Sequence, residues 1–221
     1  MNLVERLQSE TADDREFLLS SPIIARCLAG DITLQHYFSF LTQAYHHVKH
    51  TVPLLMAAGS RLPGSQEWLR EAVAEYIDEE LGHQEWILND IAACGFEQQA
   101  VRDSQASAAT ELMVAYAYDT IQRVNPLGFF GMVHVLEGTS VTLADRAASA
   151  IQQALQLPED AFSYLRSHGA LDQEHIKFFE SLMERISNSA DQDQIIHSSK
   201  MFYRLYAGIF RSLAPDLAVA A

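Results

Sequence analysis

One stretch of the sequence places two histidines and an acid at spacings that bring them together on a helix. The segment HGALDQEHIKFF, residues 168–179, contains His168, Asp172 and His175, separated by four and then three positions. On an α-helix these spacings put all three side chains on one face. Imidazole nitrogens and carboxylate oxygens on a shared face can bind a transition metal such as iron or manganese. An exposed charged turn is the alternative, because Gly169 could end a helix there.

A second acid–histidine pair, Glu80 and His83, lies in a predicted helix over residues 65–95. The pair falls within a stripe of otherwise mostly apolar residues, three or four apart: Leu69, Val73, Tyr76, Glu80, His83, Ile87 and Ile91. A buried carboxylate is costly unless it is paired or bound to a cation. A Glu-x-x-His unit facing inward is the building block of di-iron sites in four-helix carboxylate proteins. A hydrogen-bonded or exposed Glu–His pair is the alternative.

The third candidate is an isolated acid in an apolar helix. In PLGFFGMVHVLEGTSVTLA, residues 126–144, the only acid is Glu137. A protonated core glutamate, or one bonded to Arg or Tyr, is the alternative, and we expect His134 to be a core or rim residue. Together the three helices supply three carboxylates and three imidazoles without cysteine. This set favours iron or manganese over structural zinc and predicts a dinuclear site.

The elements that must position these residues are all predicted to be helical, in one domain spanning residues 1–221. We predict a compact bundle of seven to eight helices, because apolar residues recur with helical period and no segment alternates like a strand. The predicted helices cover about 2–19 (one or two helices), Pro22–Leu28, a long helix capped by Thr33 and kinked at Pro53, 65–95 capped by Ser65, 107–124, 126–155, 159–167, 170–187 and 192–213. We expect a polar loop between Gly95 and the helix at 107.

Composition excludes several classes of partner. The 221 residues carry a net charge of −14, which argues against binding to nucleic acid or to an anionic membrane. Two separate cysteines fit a reducing compartment. The N-terminus lacks a signal-peptide pattern, and no uninterrupted apolar stretch is long enough to span a membrane. We therefore expect a cytoplasmic protein whose partner is a small-molecule substrate. We also expect a homodimer, although composition does not bear on the oligomeric state.

The motifs EELGH (79–83), VLEGTS with Glu137, and HGALDQEH (168–175) resemble those of the haem-oxygenase-like di-iron oxidase superfamily. The resemblance spans about residues 20–213. It implies a haem-oxygenase-like fold in which two iron ions, with manganese as a substitute, replace the haem and dioxygen is the co-substrate. Known members decarboxylate fatty acids, cleave amino acids, oxygenate nitrogen or form para-aminobenzoate.

The resemblance also implies roles for individual residues. One iron would be held by Glu80, His83 and either His168 or His175. Asp172 and the remaining histidine would hold the other iron, with Glu137 bridging or nearby. Tyr76, one turn before Glu80, is a candidate catalytic residue that would support a ligand or be redox-active. Simple packing is the alternative for this tyrosine.

The sequence departs from the family pattern in the long helix after Thr33. Many members are expected to add a carboxylate ligand there, whereas AYHHVKHTVPLL contains no acid. If this helix is continuous through Lys49, His50 lies nearer the core than His47, so we favour His50 as the residue at the metal site. A solvent-facing cleft holding both histidines is the alternative. The predicted substrate pocket is lined by Phe38, Tyr45, Phe129, Val133 and Phe178, which favours a small apolar or amphipathic substrate.

Three other functions are open. A metal-free thiaminase-like (TenA-like) or pyrroloquinoline-quinone-synthase-like enzyme has the same fold, and the former needs a nucleophilic cysteine, for which neither Cys27 nor Cys94 is well placed. A haem oxygenase needs an axial histidine, for which His36 is a candidate. A non-catalytic small-molecule-binding protein is the third. We favour a di-iron oxidase because only that function uses the inward acids.

Overall fold

All regular secondary structure within residues 1–213 is helical in the computed structural model, which describes those residues except the side chains of 168–174. The helices are α1 (Leu3–Glu10), α2 (Ala12–Leu19), α3 (Pro22–Leu28), α4 (Leu34–Val48), α5 (Thr51–Arg61), α6 (Trp68–Glu80), α7 (His83–Ala93), α8 (Gln98–Arg102), α9 (Ala108–Asp119), α10 (Phe129–Leu155), α11 (Ser163–Met183) and α12 (Ser189–Ser212). Short 3₁₀ or π turns occupy Gly64–Gln66, Thr120–Val124, Pro126–Gly128 and Glu159–Phe162. The all-α prediction is confirmed.

Local signals explain where several helices begin. The hydroxyl of Thr33 accepts the backbone N–H of His36, and the His36 side chain returns a contact to the cap of α4. Pro22 occupies the first position of α3, where a missing backbone N–H costs nothing. Both starts agree with the prediction, as does the helix at 126–155, whose first turn is a 3₁₀ turn that opens at Pro126.

Several predicted boundaries are wrong. The long helix after Thr33 ends at Val48 and a new helix starts at Thr51, so that Pro53 lies in the first turn of α5 rather than at a kink. Ser65 lies in a 3₁₀ turn and Glu67 precedes α6 instead. The predicted polar loop after Gly95 contains α8, and α11 continues through Gly169 without a break. These boundaries depend on tertiary packing, which overrides weak local signals.

Helix α10 runs through the centre of the bundle, against α11, α12 and α3. The backbones of α10 and α12 touch at Gly131, where a Cβ atom would lie 2.6 Å from the backbone nitrogen of Ser199. The segment Pro126–Leu155 is long and apolar enough to cross a membrane, but 61% of its most apolar window is buried within the protein. Burial of that extent is typical of a central core helix.

A buried carboxylate connects α7 to α11. Asp90, on α7, accepts hydrogen bonds from the backbone nitrogens of Ser163 at 3.0 Å and Tyr164 at 2.9 Å, and also from the Ser163 hydroxyl. It therefore satisfies N–H groups in the first turn of α11 that have no partner within the helix. Burial raises the pKa of this carboxyl group, and the three donors oppose that rise. Asp90 thus connects α7, which carries His83, to the first turn of α11, which carries His175.

Candidate metal centre and its cavity

Glu80 and His83 meet across a break between α6 and α7. Leu81 has an extended backbone and Gly82 adopts φ +92°, a left-handed conformation that favours glycine. His83 Nδ1 lies 3.0 Å from Glu80 Oε2, with the two side chains only 2% and 14% exposed. The ring of Trp86 packs against the His83 imidazole, with centroids 4.0 Å apart. The prediction of one continuous helix over 65–95 is wrong, yet Glu80 and His83 both face inward.

The apolar stripe that contains this pair is confirmed on both sides of the break. Its other five members are all buried, at 0–3% exposure: Leu69, Val73, Tyr76, Ile87 and Ile91. The break occurs inside the stripe without disturbing it, because α6 and α7 each pack the same side against the core. The pattern was therefore a reliable guide to orientation even where it missed a helix end.

His175 contacts acids on both α6 and α10. This buried side chain of α11 has Nε2 3.0 Å from Glu79 Oε2 and Nδ1 3.8 Å from Glu137 Oε1. Glu137 is largely buried, with 12% of its side chain exposed, whereas Glu79 is 43% exposed. Sequence reasoning missed Glu79, because it lies outside the apolar stripe and is one of several acids near the end of α6. Only its approach to a histidine 96 positions later reveals it.

The donor set has the chemistry of an iron site. It consists of carboxylate oxygens and imidazole nitrogens from α6, α7, α10 and α11, without sulfur, and iron accepts such mixed ligands. Among the side chains that the structure describes, no group of three or more histidines, cysteines and acids is close enough to hold a metal alone. The predicted ligands His168 and Asp172 lie outside the described side chains. By donor type, the described carboxylates and imidazoles fit iron.

A cavity of about 170 Å³ adjoins these donors. Its walls are predominantly apolar, and Glu80, Glu137, Tyr76 and His47 are among the polar residues that line it. The cavity thus combines mostly apolar walls with two acids, Glu80 and Glu137. Such apolar pockets with a few polar groups are typical of small-molecule sites.

Two of the five predicted pocket residues, Phe129 and Val133, line the cavity. The other three do not line it. Phe38 stacks on Phe96 with ring centroids 4.0 Å apart, Tyr45 lies beneath the Lys49 ammonium group, and Phe178 packs against Tyr76. The aromatic rings of Tyr37 and Phe40 on α4 line the cavity in place of those of Phe38 and Tyr45. Adjacent helical positions differ by about 100° in direction, so a small error in helix rotation exchanged these neighbours.

His47, rather than His50, lines the cavity. The buried His47 ring packs edge-on against Tyr206 with centroids 5.9 Å apart. His50 directs its Nδ1 towards the Tyr118 hydroxyl at 3.1 Å and is not among the described cavity residues. The preference for His50 assumed a continuous helix through Lys49. Because α4 ends at Val48, His50 precedes α5 and turns towards α9. The preference for His50 over His47 at the metal site stays a prediction.

Tyr76 lies beside the acid–histidine cluster. Its buried ring is edge-on to His175, with centroids 6.0 Å apart, and it lines the cavity. The position is compatible with the predicted role at the site. By contrast, His134, one turn before Glu137, stacks on Phe179 and does not line the cavity. This placement agrees with the expectation that His134 is a core or rim residue.

The cysteines have the wrong ionisation for nucleophilic chemistry. Cys27 does line the cavity, contrary to the expectation that neither cysteine is well placed. Burial raises the pKa of Cys27 and of Cys94 to about 11 each. Both are therefore neutral thiols at physiological pH, and the thiolate is the reactive form.

One protein family and several solved structures are similar to this chain. The family model for iron-containing redox enzymes matches residues 39–207. No curated protein sequence matches the chain significantly. A solved domain of unknown function with a heme oxygenase-like fold, from Shewanella denitrificans, is 25% identical, with a TM-score of 0.86 over 99% of this chain and 94% of that chain.

Two more distant structures show the fold alone. A TenA homologue from Pseudomonas syringae is 12% identical, with a TM-score of 0.77 over 97% of this chain and 93% of that one. Heme oxygenase-1 from Synechocystis, solved in complex with heme, is also 12% identical, with a TM-score of 0.77 over 100% and 96%. The predicted haem-oxygenase-like fold is therefore confirmed.

Proposed function

Because the chain belongs to the family of iron-containing redox enzymes, we propose that it is a non-haem di-iron oxidase or oxygenase that uses dioxygen to oxidise a small organic substrate. One observation carries the proposal. Carboxylates and histidines from α6, α7, α10 and α11 converge beside an apolar cavity, with His175 within 3.8 Å of Glu137 and 3.0 Å of Glu79. Neither haem chemistry nor thiol chemistry requires these inward acids.

The residues that would hold the metal come from both the structure and the sequence. They are Glu80, His83, Glu137 and His175, together with His168 and Asp172 on α11. When bound, two iron ions would supply the electrons that activate dioxygen. His47 is a further candidate, because it lines the cavity together with Glu80 and Glu137.

The protein's own residues orient the donors and keep water away. Glu79 contacts Nε2 of His175, and a carboxylate on one nitrogen of an imidazole sets the direction of the other. Phe129, Met132 and Val133 provide apolar wall in the turns of α10 before Glu137. These walls favour a substrate that is apolar or amphipathic, and they exclude water that would compete for the reacting centre.

The rival functions find less support in the structure. A thiaminase-like reaction needs a thiolate, and burial keeps Cys27 protonated. A haem oxygenase needs an axial histidine. His36 lines the cavity, but its Nδ1 lies 3.2 Å from the Thr33 backbone nitrogen as part of the cap of α4. That contact gives His36 a structural role.

Metal analysis of four proteins tests the proposal. The wild-type protein, loaded anaerobically with ferrous iron and desalted, should retain about two irons per chain. A separate sample, incubated with haemin and then desalted, should show no absorbance from bound haem. Glu137→Ala and His175→Ala should each lose most of this iron while keeping a helical circular dichroism spectrum. Asp145→Ala removes an exposed acid from the same helix, α10, and should retain wild-type iron. Full iron retention in both Glu137→Ala and His175→Ala would exclude the proposed ligand set.

A further inference from the structure

One face of α10 lines the cavity along most of the helix. The lining positions recur every one to four residues: Phe129, Met132, Val133, Leu136, Glu137, Thr139, Ser140, Leu143, Ala144, Ala147 and Ile151. At 1.5 Å per residue this stripe extends for about 33 Å. Glu137 divides it unequally, because about 21 Å of lined helix follows the acid. The cavity is therefore long, and most of its length lies on one side of the candidate metal centre.

We call the part of the cavity along Ser140–Ile151 the distal arm. Two hydrophobic clusters form its walls. In one of them Leu143 packs with side chains of α3 and α12, and in the other Ala144, Ala147 and Ile151 pack with α4 and the segment before it. The facing residues that also line the cavity are Ile23, Ile24, Leu28, Ile32, Tyr37, Phe40, Phe210 and Leu213. Among the described lining residues of the arm there is no lysine or arginine that would bind an anion.

A polar group lies where the distal arm begins. The Ser140 hydroxyl is buried and has no hydrogen-bond partner among the described residues, although it lines the cavity one turn after Glu137. A buried hydroxyl without a partner costs free energy that a bound hydrogen-bonding group would recover. Beyond Ser140 the α10 side of the arm is apolar, and Ala144 and Ala147 leave space where larger side chains would close it. The order along α10 is thus acid, hydroxyl, then apolar groove.

We propose that the distal arm binds the unbranched aliphatic tail of the substrate, with a hydrogen-bonding head group at Ser140. This inference rests on the proposed function for the reacting end, which would lie at Glu80 and Glu137. The small side chains of Ala144 and Ala147 determine the longest tail that the arm accepts. A groove along a single helix face is long and narrow, so it accommodates a linear chain better than a ring of equal carbon number.

Binding of straight-chain primary alcohols to the metal-free protein tests the proposal. Titration calorimetry with hexan-1-ol to tetradecan-1-ol should show Kd falling about fourfold per added methylene until the arm is full, and then levelling. Cyclododecanol should bind at least tenfold more weakly than dodecan-1-ol. Ser140→Ala should raise the Kd of every alcohol by a similar factor, without changing how Kd depends on chain length. Affinity that is independent of length, or equal for the ring and the chain, would overturn the proposal.

Two variants that narrow the arm test where along it the tail lies. Ala144→Phe should stop the gain in affinity at a shorter alcohol than Ala147→Phe does, because it fills the arm one turn nearer to Ser140. Val141→Phe enlarges an exposed residue of the same helix and should leave the length limit at the wild-type value. The same limit in both blocking variants would contradict the proposal. If Ala144→Phe does not fold, Ala147→Phe should shorten the limit and Ile151→Ala should lengthen it.

These measurements need no iron, so the two proposals fail separately. Length-dependent alcohol binding in a protein that retains no iron would support the aliphatic site and refute the di-iron function. Two tightly held irons in a protein without length-dependent binding would do the reverse.

Discussion

At the scale of single residues, the site depends on carboxylate–histidine contacts between helices. His175 lies between Glu79 and Glu137, and His83 pairs with Glu80 across the turn between α6 and α7. Each contact restricts the rotation of an imidazole ring and so fixes which nitrogen faces the carboxylate. A ligand that is already oriented loses less entropy when a metal binds.

Glu79 offers the most direct test of this orientation. We predict that Glu79→Gln lowers the affinity for ferrous iron by about tenfold, because the amide orients the His175 imidazole less strongly than a carboxylate does. The residue is 43% exposed, so folding should be unaffected. Glu75→Gln changes an exposed acid one turn earlier on α6 and should leave the affinity unchanged in the same anaerobic titration. Equal affinities in the two variants would show that Glu79 does not support the site.

The two histidines around the end of α4 should behave differently. His47→Ala removes a cavity-lining side chain, and we predict a changed electron paramagnetic resonance spectrum of the iron–nitrosyl adduct. His50→Ala should leave that spectrum unchanged and lower the free energy of unfolding by about 1 kcal/mol, because it removes the hydrogen bond to Tyr118. A spectral change in His50→Ala alone would support His50 as the residue at the metal site.

At the scale of elements, the break between α6 and α7 positions Glu79, Glu80 and His83. Gly82 makes the break possible, since its φ of +92° is strained for residues with a Cβ atom. No heavy atom lies within 4 Å of a Cβ built on Gly82, so only the backbone conformation opposes a larger residue there.

A pair of glycine substitutions separates conformation from packing. Gly82→Ala should lower the free energy of unfolding by about 1–2 kcal/mol, because alanine must adopt the left-handed conformation. Gly138→Ala lies within α10, also with nothing within 4 Å of the new Cβ, and should raise stability by about 0.5–1 kcal/mol. Urea denaturation of both variants measures these opposite effects. A stabilised Gly82→Ala protein would mean that the turn relaxes without cost.

At the scale of the whole molecule, a buried histidine links stability to pH. The Nε2 of His134 is buried and has no hydrogen-bond partner within the described residues, although part of the side chain reaches the surface. Desolvation lowers the pKa of His134 to about 4, and the positive charge of Arg15 contributes in the same direction. The unfolded chain, with a normal histidine pKa near 6.5, therefore binds this proton more tightly than the folded protein does.

We predict that stability falls as the pH decreases from about 6.5 to about 4. Over this range the unfolded state takes up a proton at His134 that the folded state excludes, so up to roughly 2–3 kcal/mol is lost. His134→Phe should keep the stacking on Phe179 and reduce the slope of unfolding free energy against pH. Chemical denaturation at several pH values measures both proteins. An unchanged slope would place the acid sensitivity elsewhere.

The sequence by itself determined the fold class and the direction in which the main site residues face. Helical periodicity and the lone acid in an apolar helix are local patterns, and burial of apolar surface enforces them in almost any packing of the helices. For that reason the stripe from Leu69 to Ile91 is buried as predicted, although the helix it was assigned to is broken. The resemblance to a family of iron enzymes could likewise be seen in three short motifs.

Only the tertiary structure decided which residues meet. Glu79 pairs with His175 because α6 and α11 pack side by side, and no local pattern specifies a contact between positions 96 residues apart. Helix ends and rotations, which packing sets, determine that His47 lines the cavity and His50 does not. They also determine that Tyr37 and Phe40 line it in place of Phe38. One residue changes direction on a helix by about 100°, so a small shift moves a side chain from the cavity to another surface. The distal arm depends on the same packing, because its walls come from four separate segments of the chain.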